Sequence, residues 1–139
     1  MNQCAEPAIT APDAENAVAG AILIDARCIP DILETELTPE EFAADLPRMV
    51  YATALELYGA EQPIDPVTVR DKAAGGLSSE YLLQLMEVTP TAANAANYAR
   101  MIKAAALKRK AAAIALRLSG QGVDISGMVE ELQEIAAQQ

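Results

Sequence analysis

The residues with the best case for chemistry are cations that share one stretch of the chain. Arg100, Lys103 and Arg109 fall within about three turns of a predicted helix. Arginines and lysines so placed clasp anionic substrates, because their donors match carboxylate and phosphate oxygens. A small all-α enzyme that binds an anionic metabolite is therefore one hypothesis, although no partner residues in the sequence indicate a closed pocket.

Other catalytic and ligand-binding patterns are missing from the sequence. It has no histidine, the usual general base and the commonest metal ligand. It also has no phosphate-binding glycine loop. Carboxylate pairs such as Glu40/Glu41 and Glu130/Glu131 are predicted on exposed helix faces, where nothing raises a pKa. We therefore predict no catalytic, cofactor-binding or metal site.

The two cysteines and the N-terminus indicate a cytoplasmic protein. The N-terminus has no basic segment followed by an apolar stretch, so it does not resemble an export signal. Cys4 and Cys28 are accordingly interpreted as reduced thiols, too far apart for a zinc site. The longest uncharged apolar run, residues 17–24, is too short to cross a bilayer, so we expect no membrane association.

Charge is distributed unevenly along the chain. The net charge is −10, which disfavours direct binding of nucleic acid through its phosphates. Between Glu87 and Asp124, however, there is no acidic residue, and six of the ten cations lie in that interval. These cations either complement an acidic last helix carrying Glu130, Glu131 and Glu134, or form a face that meets an acidic partner or a second copy of the chain.

Composition predicts an all-α fold. The chain is 52% hydrophobic but only 4% aromatic, and its apolar residues are mostly Ala, Leu, Ile and Val without a strand pattern. Caps, first-turn prolines and glycine stops predict a series of short helices. These are a helix after Asp13, one over Pro30 to Glu36, a restart at Thr38 with a capping box to Glu41, one from Pro47 to Gly59, one from Pro66 to Gly75, and one starting at Ser78 or Ser79.

Two longer helices are predicted after residue 90. The stretch TPTAANAANYARMI, residues 89–102, offers Thr89 as a cap and Pro90 at the first helical position of a helix that runs to about Leu118. A last helix covers about residues 126–137. The predicted architecture is a bundle of short helices over residues 1–90, followed by a two-helix hairpin over residues 91–139, within a single domain. Gly20, inside the first helix, is predicted to let a neighbouring element approach closely.

Four segments of the sequence carry a family resemblance. They are DAENAVAGAILID at residues 13–25, LTPEEF at 37–42, QPIDPVTV at 62–69, and YLLQL with PTAANAANYARMI at 81–102. In this order and spacing they resemble the N-terminal domain of bacterial replicative hexameric DNA helicases of the DnaB type. The resemblance covers about residues 6–118, and the last helix is similar to the start of the linker helix that leads to the motor domain.

The resemblance implies a protein-interaction domain without catalytic activity of its own. In that family, hairpins pair, the pairs assemble into a collar on the hexamer, and the collar docks primase or a helicase loader. It therefore implies self-association, as a dimer or as a trimer of dimers, and no cofactor. The helicase-binding domain of bacterial primases shares the architecture, and a primase-type domain or a phage helicase loader remains an alternative. The parent would be an ATP-dependent helicase, but the sequence ends before any ATPase domain, and as given it is not expected to unwind DNA.

The predicted protein contacts lie on the hairpin and its neighbouring helix. Alanines along residues 92–106 are expected to let another helix approach, with Asn94 satisfying a backbone group at the junction. Leu107, Ala111, Ile114 and Leu118 form a stripe at helical spacing that packs on the last helix, on a second hairpin, or on both. Arg109 and Lys110 are predicted as rim charges. The full set of predicted contacts is Tyr81, Tyr98, Ile102, Leu107, Arg109, Lys110, Ile114 and Leu118.

Overall fold

The computed structural model describes residues 10–121 and 133–135, and in these ranges the chain is built from helices without a strand. The α-helices are α1 Pro12–Ile24, α2 Ile29–Glu34, α3 Asp45–Gly59, α4 Pro66–Lys72, α5 Ser79–Val88 and α6 Ala95–Gln121. Two 3₁₀ turns, Ala26–Cys28 and Pro39–Glu41, connect them. The predicted all-α class is confirmed. None of the helices in the described ranges has an apolar stretch of the length needed to span a bilayer.

Two compact units divide the chain after Lys103. We call the first, Ala11–Lys103, the globule; the second contains the rest of α6 and residues 133–135. The sequence placed this boundary after residue 90. The globule extends past it because Ala95, Ala99 and Ile102, at the start of α6, are buried in its core. That the hairpin forms a separate part of a single domain stays a prediction, and most of the last predicted helix lies outside the described residues.

Helix starts follow the capping residues in three places. The Asp65 carboxylate accepts a hydrogen bond from the Thr68 N–H at 2.9 Å and caps α4. The Ser78 hydroxyl accepts one from the Tyr81 N–H at 3.1 Å and caps α5. The capping box of Thr38 and Glu41 is also present, but it opens only a 3₁₀ turn. The predicted helix there is therefore shorter than expected.

The two residues before α3 are hydrogen-bonded by a side chain from another helix. Ala44 precedes α3 and has no side-chain acceptor to offer. The carboxylate of Glu15, on α1, accepts hydrogen bonds from the Ala43 N–H at 2.7 Å and the Ala44 N–H at 3.0 Å. Glu15 is only 1% exposed, and a carboxylate is favoured at the positive end of a helix. Its burial is thus compensated by hydrogen bonds that join α1 to α3.

The long helix starts later than the sequence predicts. Thr89 is not its cap but the C-cap of α5, with an extended backbone that suits the residue before Pro90. The Thr89 hydroxyl donates to the Leu85 carbonyl at 2.7 Å. The first turn of α6 forms instead at Ala95, where the Asn94 carbonyl accepts the Tyr98 N–H at 3.1 Å. Local backbone preference before proline and the side-chain bond of Thr89 outweigh the capping signal.

Gly20 marks the closest approach of α1 and α5. A Cβ atom there would lie 2.7 Å from the Leu85 carbonyl oxygen and would overlap the hydroxyl of Thr89. Both atoms would be closer than van der Waals contact allows, so the predicted close approach at Gly20 is present in the structure. It brings the buried faces of α1 and α5 together in the middle of the globule.

The core of the globule consists of two apolar clusters. The first joins α1, α2, α3 and the start of α6, and contains an aromatic stack of Phe42 on Tyr51 with ring centroids 5.2 Å apart. The Tyr51 hydroxyl donates to the Leu37 carbonyl at 2.8 Å, so this buried polar group is satisfied. The second cluster joins α1, α3, α4 and α5 through Ala19, Leu23, Val50, Leu57, Val69, Leu77, Leu82 and Leu85.

Candidate protein-interaction surface

Helix α6 carries most of the predicted contact residues. Its 27 residues form a helix because alanine and other strong helix formers fill the segment after Pro90 without another proline. We call residues 95–103, which belong to the globule, the root of α6, and residues 104–121 the stem. The predicted contacts are distributed over both parts, and their surroundings differ.

Two predicted contacts in the root belong to the core of the globule. Ile102 is fully buried in the first cluster, and Tyr98 is half-buried against it. Ile102 therefore packs on its own globule rather than facing a partner. Met101, which the sequence analysis did not select, is the large apolar side chain that the root leaves 48% exposed.

Lys103, at the end of the root, is held by three acceptors. Its Nζ lies 3.1 Å from Glu41 Oε2, 3.3 Å from Glu41 Oε1 and 3.3 Å from the Glu36 carbonyl oxygen. The side chains of Lys103 and Glu41 are only 21% and 22% exposed. Glu41 Oε1 also accepts the Thr38 N–H at 2.9 Å, so one carboxylate serves both the capping box and the ion pair.

The three cations that suggested an anion site do not converge. Lys103 is engaged with Glu41. Arg100 and Arg109 are separated by about two and a half turns of α6, which places them on opposite faces of the helix. An anionic metabolite cannot be clasped by this trio as the sequence analysis envisaged.

Tyr81, the predicted contact on α5, is half-buried against the second cluster. Burial, followed by the negative charge of Glu15, raises the pKa of its phenol to about 12. The hydroxyl is buried and has no hydrogen-bond partner among the described residues. Tyr81 thus contributes its ring to the globule core and presents no hydroxyl to a partner.

Part of the predicted stripe on the stem is buried against Ile135. Ile114 and Leu118 are each 8% exposed and form a cluster with Ile135, and Leu107 packs against it half-buried. Of the arrangements that the sequence left open, the described residues show the contact within one chain. A seam between two chains along this stripe stays a prediction. Of the predicted rim charges, Lys110 is exposed and Arg109 is half-buried.

The stem exposes one large apolar residue that the stripe did not include. Leu116 is 75% exposed, the highest value among the large hydrophobic residues described. Leu116 lies two residues after Ile114 and two residues before Leu118. Helical geometry therefore places it on the side of α6 opposite these two residues. Ala112 and Ala113 are exposed beside it. We call Ala112, Ala113 and Leu116 the Leu116 face. Leu116 is visible in the sequence as an isolated leucine. It was not predicted as a contact because it falls outside the apolar stripe at helical spacing.

The thiol of Cys28 has no reactive character. It is a free, buried cysteine, and burial together with the nearby Asp25 charge raises its pKa to about 11. Cys4 lies outside the described residues. Within the ranges that the structure describes, no three His, Cys, Asp or Glu side chains are grouped so that they could hold a metal ion.

Comparison with known families identifies the domain. A protein-family model described as DnaB-like helicase N terminal domain matches residues 8–104. The chain belongs to this family. Two replicative DNA helicases named DnaB, from Leifsonia xyli subsp. xyli and Mycobacterium leprae, are each 32% identical to it, over 127 and 134 residues. Each alignment covers 86% of this chain but only 27% and 22% of the relative. The DnaB-like domain therefore spans about a quarter of the length of these relatives.

Solved structures confirm the fold of the DnaB-like domain. The crystal structure of the N-terminal domain of DnaB helicase from Mycobacterium tuberculosis is 31% identical, with a TM-score of 0.75, and the match covers 94% of this chain and 97% of that one. A DnaB-like replicative helicase, studied with its interactions with primase, is 27% identical with a TM-score of 0.72; there the match covers 90% and 31%. The predicted resemblance and the helical architecture are both confirmed.

Proposed function

We propose that the DnaB-like domain is the non-catalytic interaction and oligomerisation module of a replicative DNA helicase. In this proposal it self-associates through its hairpin, contributes to the collar of the hexamer, and docks primase or a helicase loader. The parent is an ATP-dependent helicase that acts in the cytoplasm, where the bacterial chromosome is replicated. The observation that carries the proposal is the family match over most of the chain, together with the relative that was studied with primase.

Exposed apolar surface on the stem supports the self-association part. Leu116 lies on the face opposite the covered stripe, and an exposed leucine beside two alanines lets a second helix pack closely. We place the Leu116 face at the contact between copies. Arg109 and Lys110 remain proposed rim charges, and Leu107, Ile114 and Leu118 a proposed seam. Tyr81, Tyr98 and Ile102 act in this proposal by fixing the shape of the globule.

Self-association is tested by light scattering over a concentration series. The wild-type chain is expected to rise above the 14.7 kDa of the monomer as protein concentration increases. Leu116→Asp, which places a charge at the proposed contact, is expected to remain a monomer over the same range. Leu83→Asp is the matched control, because Leu83 is 56% exposed on α5 and lies outside the hairpin. It is expected to associate as the wild type does.

Two outcomes contradict this part of the proposal. A wild-type chain that is monomeric at every concentration would show that the domain does not pair by itself. Equal loss of association in Leu116→Asp and Leu83→Asp would show that the Leu116 face has no special role. Far-UV circular dichroism of both variants establishes first that each is folded.

Primase docking is tested with the primase encoded in the same genome. Isothermal titration of that primase into the DnaB-like domain is expected to give a saturable signal at micromolar concentrations. The same titration with a helicase loader, where the genome encodes one, separates the two docking roles. No heat with either protein would contradict the docking role while leaving self-association intact.

The alternatives are weaker on specific observations. A primase-type domain or phage loader is disfavoured because the relatives that the chain resembles are replicative helicases. An anion-binding enzyme is disfavoured because Lys103 is paired with Glu41 and the remaining two cations face opposite directions. A rise in melting temperature with an anionic metabolite would reverse this ranking. A Walker loop encoded downstream in the same reading frame would identify the helicase directly.

A further inference from the structure

The root of α6 has a small apolar contact with the globule. Its buried side chains are Ala95, Ala99 and Ile102, with Tyr98 half-buried beside them. An alanine methyl removes little surface from water compared with a leucine or phenylalanine side chain. Ile102 is the one large side chain among these three buried residues, so a polar anchor at the end of the root adds to a limited apolar contact.

Lys103 is positioned to be that anchor. It is the last residue of the globule, and its ammonium group contacts two separate points on the chain: the Glu41 carboxylate and the Glu36 carbonyl. Both ion-pair partners are about four-fifths buried, so solvent screens this pair less than an exposed one. Glu36 has a φ of 64°, a backbone conformation that costs a non-glycine residue energy. The Lys103 contact helps to hold that turn.

We propose that Lys103 acts as a charge-operated latch that decides whether the root of α6 stays docked on the globule. With the latch closed, the ammonium group joins the end of the root to the turn after α2 and to the 3₁₀ turn that contains Glu41. When either charge is removed, the root undocks locally and exposes Ala95, Ala99 and Ile102. The latch is a property of the globule and does not depend on the function proposed above.

Amide hydrogen exchange of residues 95–103, followed by mass spectrometry on the full chain, tests the latch. Lys103→Met keeps the hydrocarbon stem and removes the charge, and it is expected to accelerate exchange in the root at least about tenfold, the effect of losing a hydrogen bond between charged groups. Glu41→Gln is expected to do the same. Because Gln still accepts the Thr38 N–H, this variant keeps the capping box and isolates the ion pair.

Controls separate the latch from general loss of stability. Arg100→Met removes an exposed cation from the same helix and is expected to leave exchange unchanged. Lys103→Arg keeps the charge and is expected to restore most of the protection. Amides of α1 report global unfolding, so the latch predicts faster exchange in the root while α1 stays protected.

The double variant Lys103→Met with Glu41→Gln decides the outcome. If the two side chains act through one contact, the double variant exchanges no faster than either single variant. Root exchange equal to wild type in Lys103→Met overturns the proposal, as does an additive effect in the double variant. Acceleration of α1 and the root together also overturns it, because that result makes Lys103 an ordinary stability residue.

Discussion

Glu15 and Tyr51 bring polar atoms into a core that is mostly apolar. Each is satisfied by backbone groups: Glu15 accepts two N–H groups before α3, and Tyr51 donates to the Leu37 carbonyl. Buried polar groups of this kind specify one arrangement of neighbours, because any other packing leaves them unpaired. In a globule rich in alanine and leucine, the Glu15 bonds fix α1 against the residues before α3, and the Tyr51 bond fixes α3 against Leu37.

A methyl group at Gly20 is expected to push α1 and α5 apart. Gly20→Ala places its Cβ against the Leu85 carbonyl and the Thr89 hydroxyl, and backbone atoms at that distance cannot rotate away. We expect a loss of about 2 kcal/mol in the free energy of unfolding, typical of an overpacked core. Urea denaturation followed by circular dichroism measures it.

Gly59→Ala is the matched control for that prediction. Gly59 ends α3, and a Cβ added there meets no atom within 4 Å. Alanine is the better helix former, so this variant is expected to be unchanged or more stable by up to about 1 kcal/mol. A Gly20→Ala variant as stable as Gly59→Ala would show that α1 and α5 separate without cost.

Tyr51 is expected to make the domain sensitive to alkali. Burial, followed by the charge of Glu41, raises the pKa of its phenol to about 12 in the folded protein, above the ordinary value of 10.0. The unfolded chain therefore loses this proton first as pH rises. Stability contributed by Tyr51 is complete below pH 10 and is lost between pH 10 and about 12. Melting temperatures recorded across this window measure the effect.

Tyr51→Phe separates the hydrogen bond from the titration. This variant is expected to lose about 1 kcal/mol in the free energy of unfolding at neutral pH, because the Leu37 carbonyl loses its donor. Above pH 10 its melting temperature is expected to fall less steeply than that of the wild type. Tyr58→Phe, at a residue that is 41% exposed, is expected to follow the wild-type curve. Identical alkaline slopes for Tyr51→Phe and wild type would contradict the assignment.

At the scale of the helices, α3 ends in a left-handed turn at Glu61. Its φ is 57°, and the Gln62 N–H donates to the Leu57 carbonyl while the Glu61 N–H donates to the Tyr58 carbonyl. This is the Schellman arrangement, in which glycine is strongly preferred at the left-handed position. The sequence placed the stop at Gly59, which is the last helical residue but not the left-handed one.

Replacing Glu61 with glycine is expected to stabilise the domain. Glu61→Gly relieves the strain of the left-handed backbone and removes a negative charge from the negative end of α3. We expect the free energy of unfolding to rise by about 1 kcal/mol. Glu56→Gly, inside the same helix, is the control and is expected to lose about 1 kcal/mol. Thermal melts of the two variants should shift in opposite directions. A lower melting temperature for Glu61→Gly would indicate that its side chain has a role the backbone does not explain.

The accuracy of the predicted helix boundaries depended on how local their signals are. The starts of α4 at Pro66 and of α5 near Ser78 or Ser79 were predicted correctly, because Asp65 and Ser78 each cap the helix that follows through a bond only three residues long. Thr89 was misassigned because its hydroxyl bonds backwards to Leu85 and its side chain fills the space left by Gly20. The bonds that Glu15 accepts before α3 join residues 28 and 29 positions apart, so no local pattern predicts them. Tertiary contacts decide these cases.

At the scale of the whole molecule, the division after Lys103 predicts how the chain responds to shortening. The globule contains its own two apolar clusters and the root of α6. A chain ending at Lys103 is therefore expected to lose helical circular dichroism from the stem and to keep a cooperative unfolding transition. A chain ending at Thr89 lacks Ala95, Ala99 and Ile102 and is expected to melt at a lower temperature. Equal melting temperatures for the two would show that the root is not part of the globule.

The interaction surface was less predictable than the fold. Periodicity identified Ile114 and Leu118 as one apolar stripe, but it does not say whether such a stripe meets the same chain or another one. Ile135 covers them in the structure. Leu116 stands outside the stripe and is recognisable only once the covered side of the helix is known. A sequence gives the spacing of apolar residues, whereas which of them remain exposed depends on the tertiary partners.

The bond from Glu15 to the start of α3 also has a consequence for the order of synthesis. Its two hydrogen bonds join residues 28 and 29 positions apart, and α1 is translated first. The Glu15 carboxylate is thus already synthesised when Ala43 and Ala44 are added, and it can accept the amides of these two residues before α3 as soon as they leave the ribosome. The path of the chain into α3 is therefore set by a residue of an earlier helix.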